Sequence, residues 1–175
     1  MLRTLMLSLA AGALVAFVSP VRAADNKMDS GDLKFIRNAT EGGQMEVELG
    51  KVAAEKASNA DVKAFGEHMV TDHSKANQEL AALCQSKGVD LTDDKPKIDK
   101  KVQKQVDKLS KKSGDEFDKT YVKDMVDDHE TDVKEFQKAA EELKDQDLKT
   151  WAAKTLPTLQ AHLDMIKGIQ DKVGK

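Results

Sequence analysis

Glu46, His73, His129 and His162 are the residues of this chain whose types and spacing point to chemistry. Each falls at the centre of the apolar stripe of a different expected helix, near that helix's midpoint. Imidazole nitrogens and a carboxylate oxygen are ligands for transition-metal ions of borderline softness, so three histidines and one glutamate meeting at one level describe a metal site. The set suits Zn, Cu, Ni, Fe or Mn and does not distinguish among them. One ion would satisfy all four groups, whereas a buried unpaired charge costs several kcal/mol. Two other readings use the same residues. One is a buried Glu/His hydrogen-bond network in a structural or partner-binding envelope protein, and the other is a small-molecule pocket. No phosphate loop, nucleophile–base pair or aromatic cage is present, so no catalytic residue, substrate or reaction is assigned.

The inward placement follows from helical phase, at 100° and about 1.5 Å per residue. Val122, Met125, Val126, Val133, Phe136 and Ala140 fall within roughly 60° of His129. Val62, Met69, Val70, Ala76, Leu80 and Cys84 flank His73 in the same way, Leu159, Ile166 and Ile169 flank His162, and Phe35, Leu49 and Ala53 flank Glu46. Glu48, His68 and Glu130 fall near or beyond the stripe edges and read as solvated. Tyr121, Asp128 and Asp132 lie on the shoulder of the His129 stripe, where they can support the site. Gly42, Gly43 and Gly50 leave room beside Glu46, either for an ion with water or for close helix packing.

Four long helices must carry these residues. The first runs from about Asp32 to Ala57 after an N-cap at Ser30 or Asp29. The second runs from about Asp61, capped by Asn59, to Lys87, where Gly88 stops it. A hairpin turning at Asn59 places Glu46 and His73 about 20 Å from the turn and facing each other. The third runs from about Asp115 to Leu143 and the fourth from about Asp147 to Val173, with Pro157 expected to kink it. A turn near Asp145 and Gln146 puts His129 and His162 about 25 Å away, so all four residues share a layer. Residues 88 to 114 form the long crossover, with a Lys-rich helical piece from Lys97 to Lys112 that reads as a solvated face. The fold class is therefore all-α, two antiparallel hairpins joined by a long, partly helical crossover. A faint repeat runs through it. Asp61-Val62-Lys63-Ala64-Phe65 resembles Asp147-Leu148-Lys149-Thr150-Trp151, and Met69 to His73 recurs as Met125 to His129 on a non-equivalent helix.

Arg3, the apolar run from Leu5 to Val18 and the small-residue site Val21-Arg22-Ala23 form a secretory signal over residues 1–23. Residues 24–30 follow as a leader, and 31–175 form one four-helix domain. Cleavage near Ala23 leaves 152 residues, enough for a single core, in a secreted, periplasmic or extracellular protein. No second apolar run follows, so no integral membrane insertion is expected. Removing Arg3 and Arg22 takes the net charge from -3 to -5 with both signs interleaved, which argues against nucleic acid as a partner. The lone Cys84 on an apolar face reads as a small core residue.

Several segments carry a resemblance. Phe35 to Ala57 (FIRNATEGGQMEVELGKVAAEKA), MVTDH at 69–73, FDKTYVKDMVDDH at 117–129 and KTLPTLQAHL at 154–163 resemble the exported bacterial ferritin-like family catalogued as a domain of unknown function. The likeness runs in order through nearly the whole mature chain. It implies a ferritin-like four-helix bundle and no known activity. Members are often labelled outer-membrane proteins, a label at odds with a chain that has neither a spanning apolar helix nor alternating strands. Di-iron ferritin-like proteins use Glu-x-x-His pairs on two helices. None occurs here, so neither iron storage nor a carboxylate-bridged di-iron oxidase is expected.

Overall fold

The computed structural model describes residues 28–173, which form five helices: α1 (Ser30–Lys56), α2 (Ala60–Ser86), α3 (Lys95–Ser110), α4 (Gly114–Glu142) and α5 (Gln146–Val173). No strand occurs among the described residues. The expected signal segment, residues 1–23, lies outside them. The expected helices agree with these bounds to within two residues, and the Lys-rich piece of the crossover is α3. Of the two candidate caps for α1, Asp29 is the one used, its carboxylate accepting from the Gly31 amide at 2.8 Å. Asn59 caps α2 by accepting from the amides of Asp61 and Val62, and Asp145 caps α5 through Asp147 and Leu148. Each satisfies helix-start donors that have no intrahelical acceptor. Gly88 ends α2 at a φ of 66°, while the Val89 amide donates to the Cys84 carbonyl and the Gly88 amide to that of Gln85. That closure needs the left-handed conformation glycine tolerates. α5 continues as one helix through Pro157.

α1 packs along α2 and α4 along α5, while α2 meets α5, α1 meets α4, and α3 lies against α1 with an edge on α4. Two apolar clusters fill the interior. One is built on Phe65, Met69, Phe117, Tyr121, Met125 and Ile166, and the other on Phe35, Ile36, Leu80, Phe136, Leu148 and Trp151. Cys84 is buried in the second, as its stripe position requires. The backbones of α1 and α2 approach closely where Gly50 and Gly66 cross, and a Cβ on either glycine would lie 2.7 Å from the other's carbonyl oxygen. Gly50 thus serves close helix packing.

Two buried aspartates tie the hairpins to each other. Asp32 on α1 accepts from the amides of Lys144 and Asp145 in the α4–α5 turn, both at 2.9 Å. Asp118 on α4 accepts from Ser58 and Asn59 in the α1–α2 turn, at 3.1 and 2.8 Å. Both are 2% exposed. The clamps stand at a constant offset of 86 residues, which also relates Asn59 to Asp145 and the starts of α2 and α5. Of the two sequence echoes, the pair Asp61–Phe65 and Asp147–Trp151 obeys this offset, and the Met-Val-x-Asp-His pair does not.

Candidate metal centre

Helical phase alone fixes which side chains reach the layer between the two apolar clusters. Glu46 from α1, His73 from α2, His129 from α4 and His162 from α5 are all buried, with exposures of 2, 5, 0 and 3%. The imidazole centroids are 5.3 Å apart for His73 and His162, 5.5 Å for His129 and His162, and 5.8 Å for His73 and His129. One ligand atom from each histidine lies within 4.8 Å of those of the other two. Glu46 reaches the same group, its Oε2 2.8 Å from His73 Nδ1 and its Oε1 3.5 Å from His129 Nε2. All four residues singled out by stripe position are therefore brought together.

The nitrogens divide into two sets. The outer nitrogen of each ring is held by an acceptor: His73 Nδ1 by Glu46, His129 Nδ1 by the Met125 carbonyl at 2.9 Å, and His162 Nε2 by Asp72 Oδ2 at 2.9 Å. The other nitrogens, His73 Nε2, His129 Nε2 and His162 Nδ1, are buried without a partner, as is Glu46 Oε1. An unpaired buried polar atom costs about 1–3 kcal/mol, so four together in one layer is an arrangement that an apolar core would not retain without a further occupant. A ligating histidine orients itself by donating its second ring nitrogen to a carboxylate or carbonyl, which fixes the tautomer and leaves the other lone pair facing the ion. All three histidines follow that pattern.

Electrostatics point the same way. Burial drives the His73 pKa down to about 4 and lowers those of His129 and His162, so the rings are held neutral, the form that binds a metal. Burial raises Glu46 to about 7 against the pull of His129. Asp132, which faces Glu46, is raised to about 8, first by burial and then by Glu46. Two facing carboxylates in a poorly solvated layer favour holding either a proton or a cation.

The shoulder residues separate. Tyr121 is fully buried, stacked on Phe117 with its hydroxyl unpartnered, and Phe65 lies edge-on to it and to His129 and His162. Asp132 faces the site, and Asp128 lies at the surface. His68 is exposed, and Glu48 and Glu130 are partly exposed in pairs with Lys51 and Lys167. Sequence reasoning missed Asp72 and the Met125 carbonyl. Asp72 follows from no stripe count, because it sits one residue, or 100°, off the His73 direction and reaches sideways to α5.

The fold and this site define the class: an all-helical domain with three buried histidines converging between its helices. The chain matches over residues 18–169 the family described as a domain of unknown function (DUF4142), and it belongs to that family. No curated protein matches it in sequence. Its fold is similar to that of a DUF305 protein from Streptomyces coelicolor, described as secreted, with a TM-score of 0.68 at 13% identity, covering 83% of this chain and 94% of that one. A DUF305 fragment from Deinococcus radiodurans has a TM-score of 0.67 at 9% identity, over 83% and 98%. At such identities the likeness concerns the fold. Among the described residues no helix is long and apolar enough to cross a membrane.

Proposed function

We propose that this protein is an exported, ferritin-like four-helix bundle, with α3 as its crossover, that binds one first-row transition-metal ion through His73 Nε2, His129 Nε2 and His162 Nδ1, with Glu46 Oε1 beside them. The observation that carries this reading is the division of the ring nitrogens, three outer ones held by acceptors and three inner ones buried without partners. Three neutral imidazoles and one carboxylate suit ions of borderline softness, Zn, Cu, Ni, Fe or Mn. The absence of any Glu-x-x-His pair sets the centre apart from carboxylate-rich di-iron sites. Cleavage near Ala23 would release the domain into the periplasm or beyond. Its role there is to hold an ion; no reaction is assigned.

Metal-linked stability tests the reading. Protein purified from its native compartment should carry about one equivalent of metal. The metal-loaded form should unfold above the chelated form, by about 2.7 kcal/mol when free metal stands at a hundredfold excess over Kd. His129→Leu should abolish that increment and leave the chelated protein about as stable as before, because an apolar side chain suits a fully buried position. In a hydrogen-bond network chelation would change nothing and the same substitution would cost about 1–3 kcal/mol. Identical melting with chelator and with added Zn, Cu, Ni, Fe and Mn, in protein free of metal by elemental analysis, refutes the proposal.

A further inference from the structure

On one side of Glu46 the buried layer opens toward a surface cleft. A cleft of about 340 Å³ runs between α1, α3 and α4, and its acidic wall is formed by Glu41, Asp124, Asp127 and Asp128. Glu46, Asp132 and Gly42 line this cleft and also a void of about 20 Å³ that reaches His73. They therefore form the neck between the surface and the histidines. A Cβ at Gly42 would meet nothing within 4 Å, which leaves the neck open on the α1 side. Glu46 is 2% exposed and its Oε1 has no partner. The opposite wall belongs to α3 and carries Lys101, Gln105 and Lys108, with Lys101 paired to Glu41 across the cleft.

We infer that this cleft is the route by which a divalent cation enters, steered by the α4 carboxylates and slowed by the α3 lysines, and that Glu46 and Asp132 pass the ion to the histidines. The inference rests on the metal reading above and adds to it a path, a direction and a function for the crossover helix. A cleft lined by one sign of charge with poorly polarisable walls focuses the field and raises the local concentration of the opposite ion, with on-rate effects of about 10 to 10³ that fall as salt rises. Four carboxylates against Lys101, Lys108 and Lys123, the last paired to Asp127, leave the mouth net negative. Lys101 and Lys108 sit on α3, so the segment joining the hairpins is also a wall of the entry.

The test is stopped-flow uptake of Zn²⁺ by the full mature chain, with Kd measured alongside by competition against a chromophoric chelator. D124K/D127K should lower the on-rate about tenfold at low ionic strength, with the off-rate also falling so that Kd moves less than either. The difference should shrink as salt is added. E55K/D93K, on exposed positions outside the cleft, carries the same change in net charge and should bind at the wild-type rate. K101Q/K108Q should speed uptake. Thermal melts of each variant without metal separate misfolding from slowed entry, and if D124K/D127K misfolds the lysine pair decides. Zn²⁺ bound at wild-type rates by both cleft variants overturns the route while leaving the centre intact. A wild-type chain that takes up none of Zn²⁺, Cu²⁺, Ni²⁺, Fe²⁺ and Mn²⁺ removes the centre and the route together.

Discussion

Replacing Gly66 with alanine sets two effects of opposite sign against each other. Inside a helix the change from glycine to alanine stabilises by about 1 kcal/mol. At Gly66 the added Cβ would stand 2.7 Å from the Gly50 carbonyl oxygen, 2.9 Å from the Ala53 Cβ and 3.0 Å from the Ala54 amide nitrogen. None of these atoms sits at the end of a flexible side chain, so relief requires α1 and α2 to part by roughly 0.5 Å, given that carbon–oxygen contacts settle near 3.3 Å. Overpacking of this kind costs about 1–3 kcal/mol, and separating two 27-residue helices also forfeits dispersion contacts along their shared face. Packing wins. We expect a net loss of about 1–2 kcal/mol, or about 3–6 °C in Tm for a domain of this size. Gly42 and Gly168 are the controls, since a Cβ at either meets nothing within 4 Å. Alanine there should raise Tm by about 2–3 °C. Scanning calorimetry of the three variants in chelator gives the comparison. Gly66→Ala melting as far above wild type as Gly42→Ala would refute the close-crossing argument.

The remaining expectations concern the clamps, protonation and the tryptophan. Asp118→Ala leaves the Ser58 and Asn59 amides without their acceptor and should cost about 2–4 kcal/mol in urea unfolding; a loss under 0.5 kcal/mol would show that water replaces the clamp freely. Chelated protein should lose stability as pH rises from 6.5 to 8, because Glu46 and Asp132, with folded pKa values raised to about 7 and 8, bind more protons folded than unfolded in that window. The lowered histidines act in the opposite sense below pH 6.5, His73 down to about pH 4, and there falling pH removes stability, so a profile flat or rising between pH 6.5 and 8 contradicts the raised carboxylates. Trp151 lines the same small void as His73 and is the only tryptophan in the chain, so Cu²⁺ should quench its fluorescence saturably at one equivalent. Quenching equal in His129→Leu would place the copper elsewhere.

Much of this architecture was legible because helical periodicity converts sequence spacing directly into facing. Asn59 and Gly88 mark helix ends through chemistry confined to a few residues, and the midpoint stripes of four helices were enough to select Glu46, His73, His129 and His162 from 31 acidic residues and four histidines. What periodicity does not encode is how helices meet sideways. Asp72 holding His162, Asp132 facing Glu46 and the Gly50–Gly66 crossing all depend on the distance and rotation between two helices, quantities set by the whole core. Buried Asp32 and Asp118 were equally invisible. Asp32, in the first turn of its helix, reads as an ordinary complement to the helix dipole, and Asp118 as one more charge on an amphipathic helix, until the turn of the opposite hairpin is seen beside each.

Those two aspartates have a consequence for the order in which the chain can become itself. Each hairpin brings a buried carboxylate that needs donors and a turn whose amides need an acceptor, and each need is met only by the other hairpin. The α1–α2 turn waits for a residue 60 positions downstream, and Asp32 waits for amides 112 and 113 positions away. Closing contacts over such separations is slow compared with forming either helix. The first half, made alone, should therefore show helical content without a sharp melting transition. The export proposed above would gain from this, because the leading half has no finished state to fall into until the trailing half arrives.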